Sequence, residues 1–266
     1  SNVPDSMTDL TTIALPLGWV NMDKTVSAPG AVYTRQPRSS SPRNHLLMSR
    51  VPDNANNRSV AAILLREGGV IAFPTDTVYG LGAVVFKAGA VSSLFVMKAR
   101  PRDLALPVLV ASESQLREVA RDIPEYGMEL AKRFWPGPLT LVLPRHPMLP
   151  SAITGGGDTV AVRLPDHPAP QAIISACGAP ITGTSANKHG GPEPRTADDA
   201  QRQLGNRLSL VLDGGPSPIG VPSTVVDLTT SPPTLVREGP LSLELLREEC
   251  PTLERQPELT PAERSG

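Results

Sequence analysis

The 266 residues carry 25 Lys and Arg against 26 Asp and Glu, a formal charge of −1, so no bulk attraction to nucleic acid follows and any polyanion site has to be local. Aromatic residues make up only 3%, too few for a platform on which single-stranded bases stack, and Ala, Val, Leu and Ile have to fill the core. Cys177 and Cys250 form neither a metal-spaced cluster nor a disulfide framework and read as packing residues, and no apolar run reaches the roughly 18 residues that cross a bilayer, so a soluble protein with no membrane partner is expected.

Residues 1–57 mix Pro, Ser, Asn and Arg without periodicity and read as a poorly ordered extension. Between Lys24 and Pro52 lie five basic residues (Lys24, Arg35, Arg38, Arg43, Arg50) and no acid, which suits a solvated tail or an organelle transit peptide. With no secretory signal, the expected compartment is the cytoplasm. After Asn57 the pattern changes. Val60, Ile63 and Leu64 give a helical stripe that ends at Gly68-Gly69, followed by a buried strand over 70–73. A helix over 88–98, a strand over 107–111 and a helix opened by Ser112 with Gln115 three residues on continue the alternation. Further strands are expected over 139–143, 159–163, 180–183, 208–212, 223–228 and 234–237, and helices over 125–134, 168–176, 197–204 and 241–249.

Helices interleave with strands, but several strands follow one another directly, which predicts an α/β domain over 58–252 with a mixed open sheet flanked by helices. The Pro- and Glu-rich residues 253–266 are expected to fray as a tail.

Open α/β sheets place ligands at strand ends, and five polar clusters stand there. Pro74 stops the first strand before Thr75, Asp76, Thr77 and Tyr79, either a turn whose hydroxyls satisfy backbone groups or one wall of a site. Lys98, Arg100 and Arg102 close a helix at Pro101, where cations complement the helix dipole or grasp phosphate oxygens. Thr159 and Arg163 share one face of a strand, and a planar fork beside a cleft suits a carboxylate. A loop rich in Gly and hydroxyls spans 182–187, and Ser223 pairs in pattern with Arg237 on two strand edges. No H-E-x-x-H spacing, nucleophile elbow or Walker loop occurs, so no metal ligand set is assigned and phosphate binding has to rest on side-chain cations. Such a site fits a reaction in which one substrate attacks a bound phosphate.

Taken in order, the runs 74–82 (PTDTVYGLG), 98–102 (KARPR), 135–143 (WPGPLTLVL), 159–165 (TVAVRLP), 184–187 (TSAN), 222–228 (PSTVVDL) and 237–239 (REG) resemble the YrdC family of threonylcarbamoyl-AMP synthases over about 58–246. The resemblance implies a twisted mixed sheet with a concave basic cleft. It also implies a reaction in which ATP, L-threonine and bicarbonate give threonylcarbamoyl-AMP and pyrophosphate, with Mg²⁺ sharing the charge. In the family the product serves a downstream threonylcarbamoyl transferase complex that makes N6-threonylcarbamoyladenosine in tRNA.

Carried over by motif, Lys98, Arg100, Thr159, Ser185, Asn187 and Arg237 would hold ATP, with Lys98 and Arg100 catalytic through charge on the leaving group. Thr77, Arg163, the backbone at Gly183 and Ser223 would hold L-threonine. Many relatives run K-x-R-P-x-x-N-P-L, whereas residues 101–107 here are longer, more apolar and without Asn, which leaves that loop's contacts open. Nothing after Glu249 is long enough for the second domain of larger members, so the single-domain form is expected. The competing reading is a non-catalytic module that binds double-stranded RNA or tRNA. Hydrogenase-maturation carbamoyl transfer and a kinase are opposed by missing segments and the missing Walker loop.

Overall fold

A computed structural model describes residues 49–257. The chain opens with β1 (Ser49–Pro52) and α1 (Ala55–Arg66), then β2 (Ile71–Phe73), β3 (Gly80–Gly82), α2 (Ala88–Lys98), β4 (Val108–Leu109), α3 (Glu113–Val119) and α4 (Glu125–Phe134). It continues through β5 (Leu139–Pro144), β6 (Thr159–Arg163), α5 (Pro168–Cys177), β7 (Ile181–Thr182), β8 (Thr184–Ser185) and α6 (Ala197–Leu204). The last elements are β9 (Leu210–Asp213), β10 (Thr224–Asp227), β11 (Thr234–Arg237), α7 (Leu243–Arg247) and β12 (Glu254–Arg255).

The mixed α/β class holds, but the strands divide into two mixed sheets. One runs β1-β9-β2-β3-β8 and the other β12-β11-β10-β5-β6-β4-β7. Thr182 joins them: its backbone N donates to Ala83 O (2.8 Å), while its hydroxyl donates to Leu81 O (3.1 Å) and accepts from Ala83 N (3.0 Å). A residue that read as part of a polar loop is therefore fully buried structural glue. Two apolar clusters fill the layers. The larger lies around β5, β6, α2 and α4, and the smaller around α1, α5 and β2. Each takes one of the two buried free cysteines as packing material.

Both boundaries need correction. β1 lies inside the stretch read as an extension and pairs in parallel with β9, and Asn54 caps α1 by accepting from Asn57 N, so the fold begins before Arg58. Arg50, one of the five cations of the transit-peptide reading, is instead bound to Asp213 (2.7 Å) and Asp198. Residues 1–48, with the other four cations, lie outside the described residues. At the far end, Leu253 is buried and β12 pairs with β11, so these residues belong to the fold rather than to a fraying tail. Among the described residues no helix is long and apolar enough to cross a membrane.

Local chemistry explains the elements that carry the site. Ser112 caps α3 as read, although Gln115 turns its side chain to Ala111 N instead of closing a capping box on Ser112. Ala99 ends α2 in the left-handed region (φ 51°), ahead of Pro101, and its N–H bonds back to Phe95 O and Val96 O.

Candidate active site

A cleft of about 660 Å³ opens across both sheets. Thr75 and Thr77 come from the β2–β3 loop, Lys98 and Arg100 from the end of α2, and Thr140, Ala161 and Arg163 from β5 and β6. Gly183 and Ser185 line it from β7 and β8, Asn187 and Glu193 from the following loop, and Ser223 and Arg237 from β10 and β11. Nine of the ten residues picked from sequence meet here. Thr159 does not: it sits exposed at the start of β6, outside the lining.

Arg163 is held from three sides. Its Nε donates to Gly137 O (2.9 Å), Nη1 to Thr77 Oγ1 (2.7 Å) and Nη2 to Asp76 Oδ1 in a buried ion pair. Burial lowers its pKa, and Asp76 pulls the other way. A guanidinium has five N–H groups, so one remains on each terminal nitrogen. Gly137 is aimed by the run around it. Its N bonds Leu164 O (2.9 Å), and a Cβ there would stand 2.3 Å from Phe134 O.

The Thr77 hydroxyl is oriented as well. Thr75 Oγ1 donates to Val78 O (2.6 Å) and lies 3.1 Å from Thr77 Oγ1. Because the one hydroxyl hydrogen of Thr75 is committed, Thr77 donates to Thr75 and accepts from Arg163, leaving an acceptor lone pair. Behind this wall the buried Tyr79 donates its hydroxyl to Gly215 O (2.7 Å), which ties the loop to the end of β9.

Lys98 is 1% exposed, and all three of its N–H groups are taken: by Ser185 O, by Asn187 O (2.7 Å) and by Asn187 Oδ1 (2.9 Å). Burial pushes its pKa down to about 8, Arg100 adds to the fall, and Glu193 opposes it. Ser185 Oγ also donates to Asn187 Oδ1 (2.8 Å), and Asn187 Nδ2 donates to Gly191 O (2.8 Å), so this trio holds one wall in a fixed shape.

Arg100 donates to Ala105 O (2.7 Å), so the departing 101–107 loop supports it with a backbone carbonyl. Arg102 turns away from the cleft to Ser92 Oγ (2.6 Å) and the Phe95 ring. Arg237 donates to Ser223 O (2.8 Å), and Ser223 Oγ lies 2.8 Å from Thr140 Oγ1. Among the described residues, Lys98, Arg100 and Arg237 have no carboxylate partner, and Glu193 is the one acid lining the cleft. Gly183 N is spent on Pro107 O (2.8 Å), and a Cβ there would meet Leu109 Cγ at 2.4 Å, so close packing fixes this glycine.

The sequence alone points to no role for Gly137, Thr140 or Glu193 and places Asp76 in a run that is either a turn or one wall of a site. A hydroxyl inside the apolar run of β5 and a glycine between two prolines were the available signals.

The family model described as telomere recombination, which covers Sua5, YciO and YrdC proteins, matches residues 63–239. A threonylcarbamoyl-AMP synthase of Pyrococcus abyssi is 49% identical over 185 residues, 70% of this chain and 54% of that protein. A putative threonylcarbamoyl-AMP synthase of Mycobacterium tuberculosis is 37% identical over 198 residues, 74% of this chain and 91% of that protein. Among solved structures, Sua5 of P. abyssi complexed with L-threonine superposes with a TM-score of 0.75 at 44% identity, over 79% of this chain and 62% of that one. YciO of Escherichia coli gives 0.67 at 25% identity, over 75% and 100%. The chain thus spans about half the length of the P. abyssi relative and most of the mycobacterial one. On the extent of the family match and the identity to near-full-length relatives, this chain belongs to the Sua5, YciO and YrdC family.

Proposed function

We propose that this chain, acting in the cytoplasm, joins L-threonine, bicarbonate and ATP into threonylcarbamoyl-AMP, releases pyrophosphate, and passes the product to a transferase that modifies adenosine in tRNA. The observation that carries the reading is the cleft itself: four cations against one lining carboxylate, beside a wall of buried hydroxyls. The names of the relatives and the L-threonine in the P. abyssi structure agree with it.

In this reading Arg163 takes the threonine carboxylate on its two remaining N–H groups. Thr77 accepts from the substrate hydroxyl, with Ser223 and the Gly183 backbone closing the pocket. Arg100 and Arg237 face the phosphates with unspent N–H groups, and Lys98, Ser185 and Asn187 form the nucleotide wall. Thr159 would meet only the part of the nucleotide that projects from the cleft.

The threonine amine gives up a proton and adds to carbon dioxide from bicarbonate, forming a carbamate. A carbamate oxygen then bonds the α-phosphorus as the bond to the β-phosphate oxygen breaks. The protein's part is positioning and neutralisation of charge on the pyrophosphate. Among the described residues no three His, Cys, Asp or Glu gather, so the donor set fits Mg²⁺ only as an ion brought in on the triphosphate, with Glu193 the one carboxylate at hand. When bound, it would neutralise phosphate charge.

Mass spectrometry of the product formed from ATP, bicarbonate and a mixture of amino acids tests this. The expected result is a threonine-dependent carbamoyl adenylate with stoichiometric pyrophosphate. No adduct, together with RNA binding that falls steeply with salt, would replace the enzyme reading with the binding module.

A further inference from the structure

Asp76 is placed oddly for a residue of a binding wall. Its neighbours Thr75 and Thr77 line the cleft, but Asp76 is 5% exposed and is not part of the lining. One oxygen holds Arg163 Nη2. The other, Oδ2, is buried with no hydrogen-bond partner among the described residues. A buried carboxylate with an empty lone-pair side is costly, and such groups persist where their charge or direction is used. Among the described residues Asp76 has one salt-bridge partner, Arg163, itself buried and pressed by the nearby charge of Arg237.

Thr75 makes a parallel case. It donates to Val78 O, which forces the Thr77 hydroxyl to point its hydrogen at Thr75 and its free lone pair elsewhere.

Building on the proposed function, we infer that Asp76 and Thr75 are positioning residues for the amino-acid end of the cleft. Asp76 fixes the plane of the Arg163 guanidinium from behind, and Thr75 fixes the polarity of Thr77. The site thereby reads a carboxylate on the substrate through one partner and a hydrogen-bond donor through the other. Asp76 lies behind the lining, and Thr75, although it lines the cleft, has its hydroxyl committed to Val78 O, Thr77 N and Thr77 Oγ1, so both act through their neighbours. The specificity for a hydroxyl-bearing amino acid is set by side chains that bond to the contacts that express it.

The test compares Asp76→Asn, Thr75→Val and Thr75→Ser with the unaltered full chain. It reads affinities for L-threonine, L-threonine amide, L-2-aminobutyrate and ATP. Asp76→Asn keeps the shape and removes the charge. It is expected to weaken L-threonine at least about tenfold, to collapse the preference for threonine over its amide, and to leave ATP within about twofold. Thr75→Val frees the Thr77 hydroxyl and is expected to erase the preference for threonine over aminobutyrate, while Thr75→Ser restores it. In a cycle with Arg163→Met, adding Asp76→Asn is expected to cost nothing further in threonine affinity.

The inference is overturned if Asp76→Asn discriminates the amide as the unaltered chain does, if ATP and threonine affinities fall together, or if the two substitutions add. Should Asp76→Asn fail to fold, an unchanged aminobutyrate preference in Thr75→Val overturns it alone. An unaltered chain that binds no threonine would defeat the proposed function itself, an outcome separate from all of these.

Discussion

At Lys98 one ammonium meets two opposed demands. Folding buries it against three carbonyl oxygens, and the proposed chemistry needs its charge. With the pKa at about 8 against the ordinary lysine value of 10.5, the folded protein sheds this proton where the unfolded chain still keeps it. Between those values the unfolded state binds more protons, so this group's contribution to stability rises with pH through the window, and it falls again as pH drops through about 8. Turnover should move oppositely. The expected outcome is a fall in kcat/KM as pH rises through about 8, without loss of fold by circular dichroism, and a limb shifted upward when nucleotide saturates the cleft. Of the other site residues, Arg163 and Thr77 were readable because charged and hydroxyl side chains at strand ends are conspicuous. Asp76 and Gly137 were not. One acts through a buried partner 87 positions away and the other through a carbonyl that no side chain advertises.

Element by element, the sequence reading fared best where period and caps agree. Helices α2, α4 and α6 and strands β6 and β11 stand at the expected residues, because α4, α6 and the two strands are bounded by a proline, a glycine or a capping hydroxyl, and α2 is a largely apolar run that stops just ahead of Pro101. Strands β3 and β8 escaped notice. Gly-Leu-Gly and Thr-Ser are too short and too weakly patterned to read as strands, and they pair because β2 and β3 bring distant backbone alongside. β1 and β12 were lost inside polar termini for the same reason. Among the described residues one element end is under strain, Ala99, a residue with a Cβ held in left-handed conformation between Lys98 at the end of α2 and Arg100 just beyond it. Such backbone costs about 1 kcal/mol, which glycine relieves. Ala99→Gly is therefore expected to hold or raise the melting temperature while lowering kcat, because the corner that aims Lys98 and Arg100 loosens. Thermal melts read beside steady-state rates check this.

For the whole molecule, the cleft draws on both sheets, so ligands that fill it should bind the folded form alone. At a hundredfold excess over its dissociation constant, ATP is expected to add about 2.7 kcal/mol of stability, visible as a higher melting temperature. L-threonine and ATP together should add more than either, since each completes a wall that the other faces. The two-sheet division was not legible beforehand. The junction between the sheets rests on Thr182, and a hydroxyl in a polar run does not reveal that it will be buried between Leu81 and Ala83. The four cations gathered around one carboxylate also have a kinetic side. In the proposed reaction, a pocket that grips a triphosphate would also grip the pyrophosphate it expels, so departure of that product would compete with chemistry for control of the rate. In a cell, the enzymes that hydrolyse pyrophosphate would then act as the force that empties this cleft for its next turn.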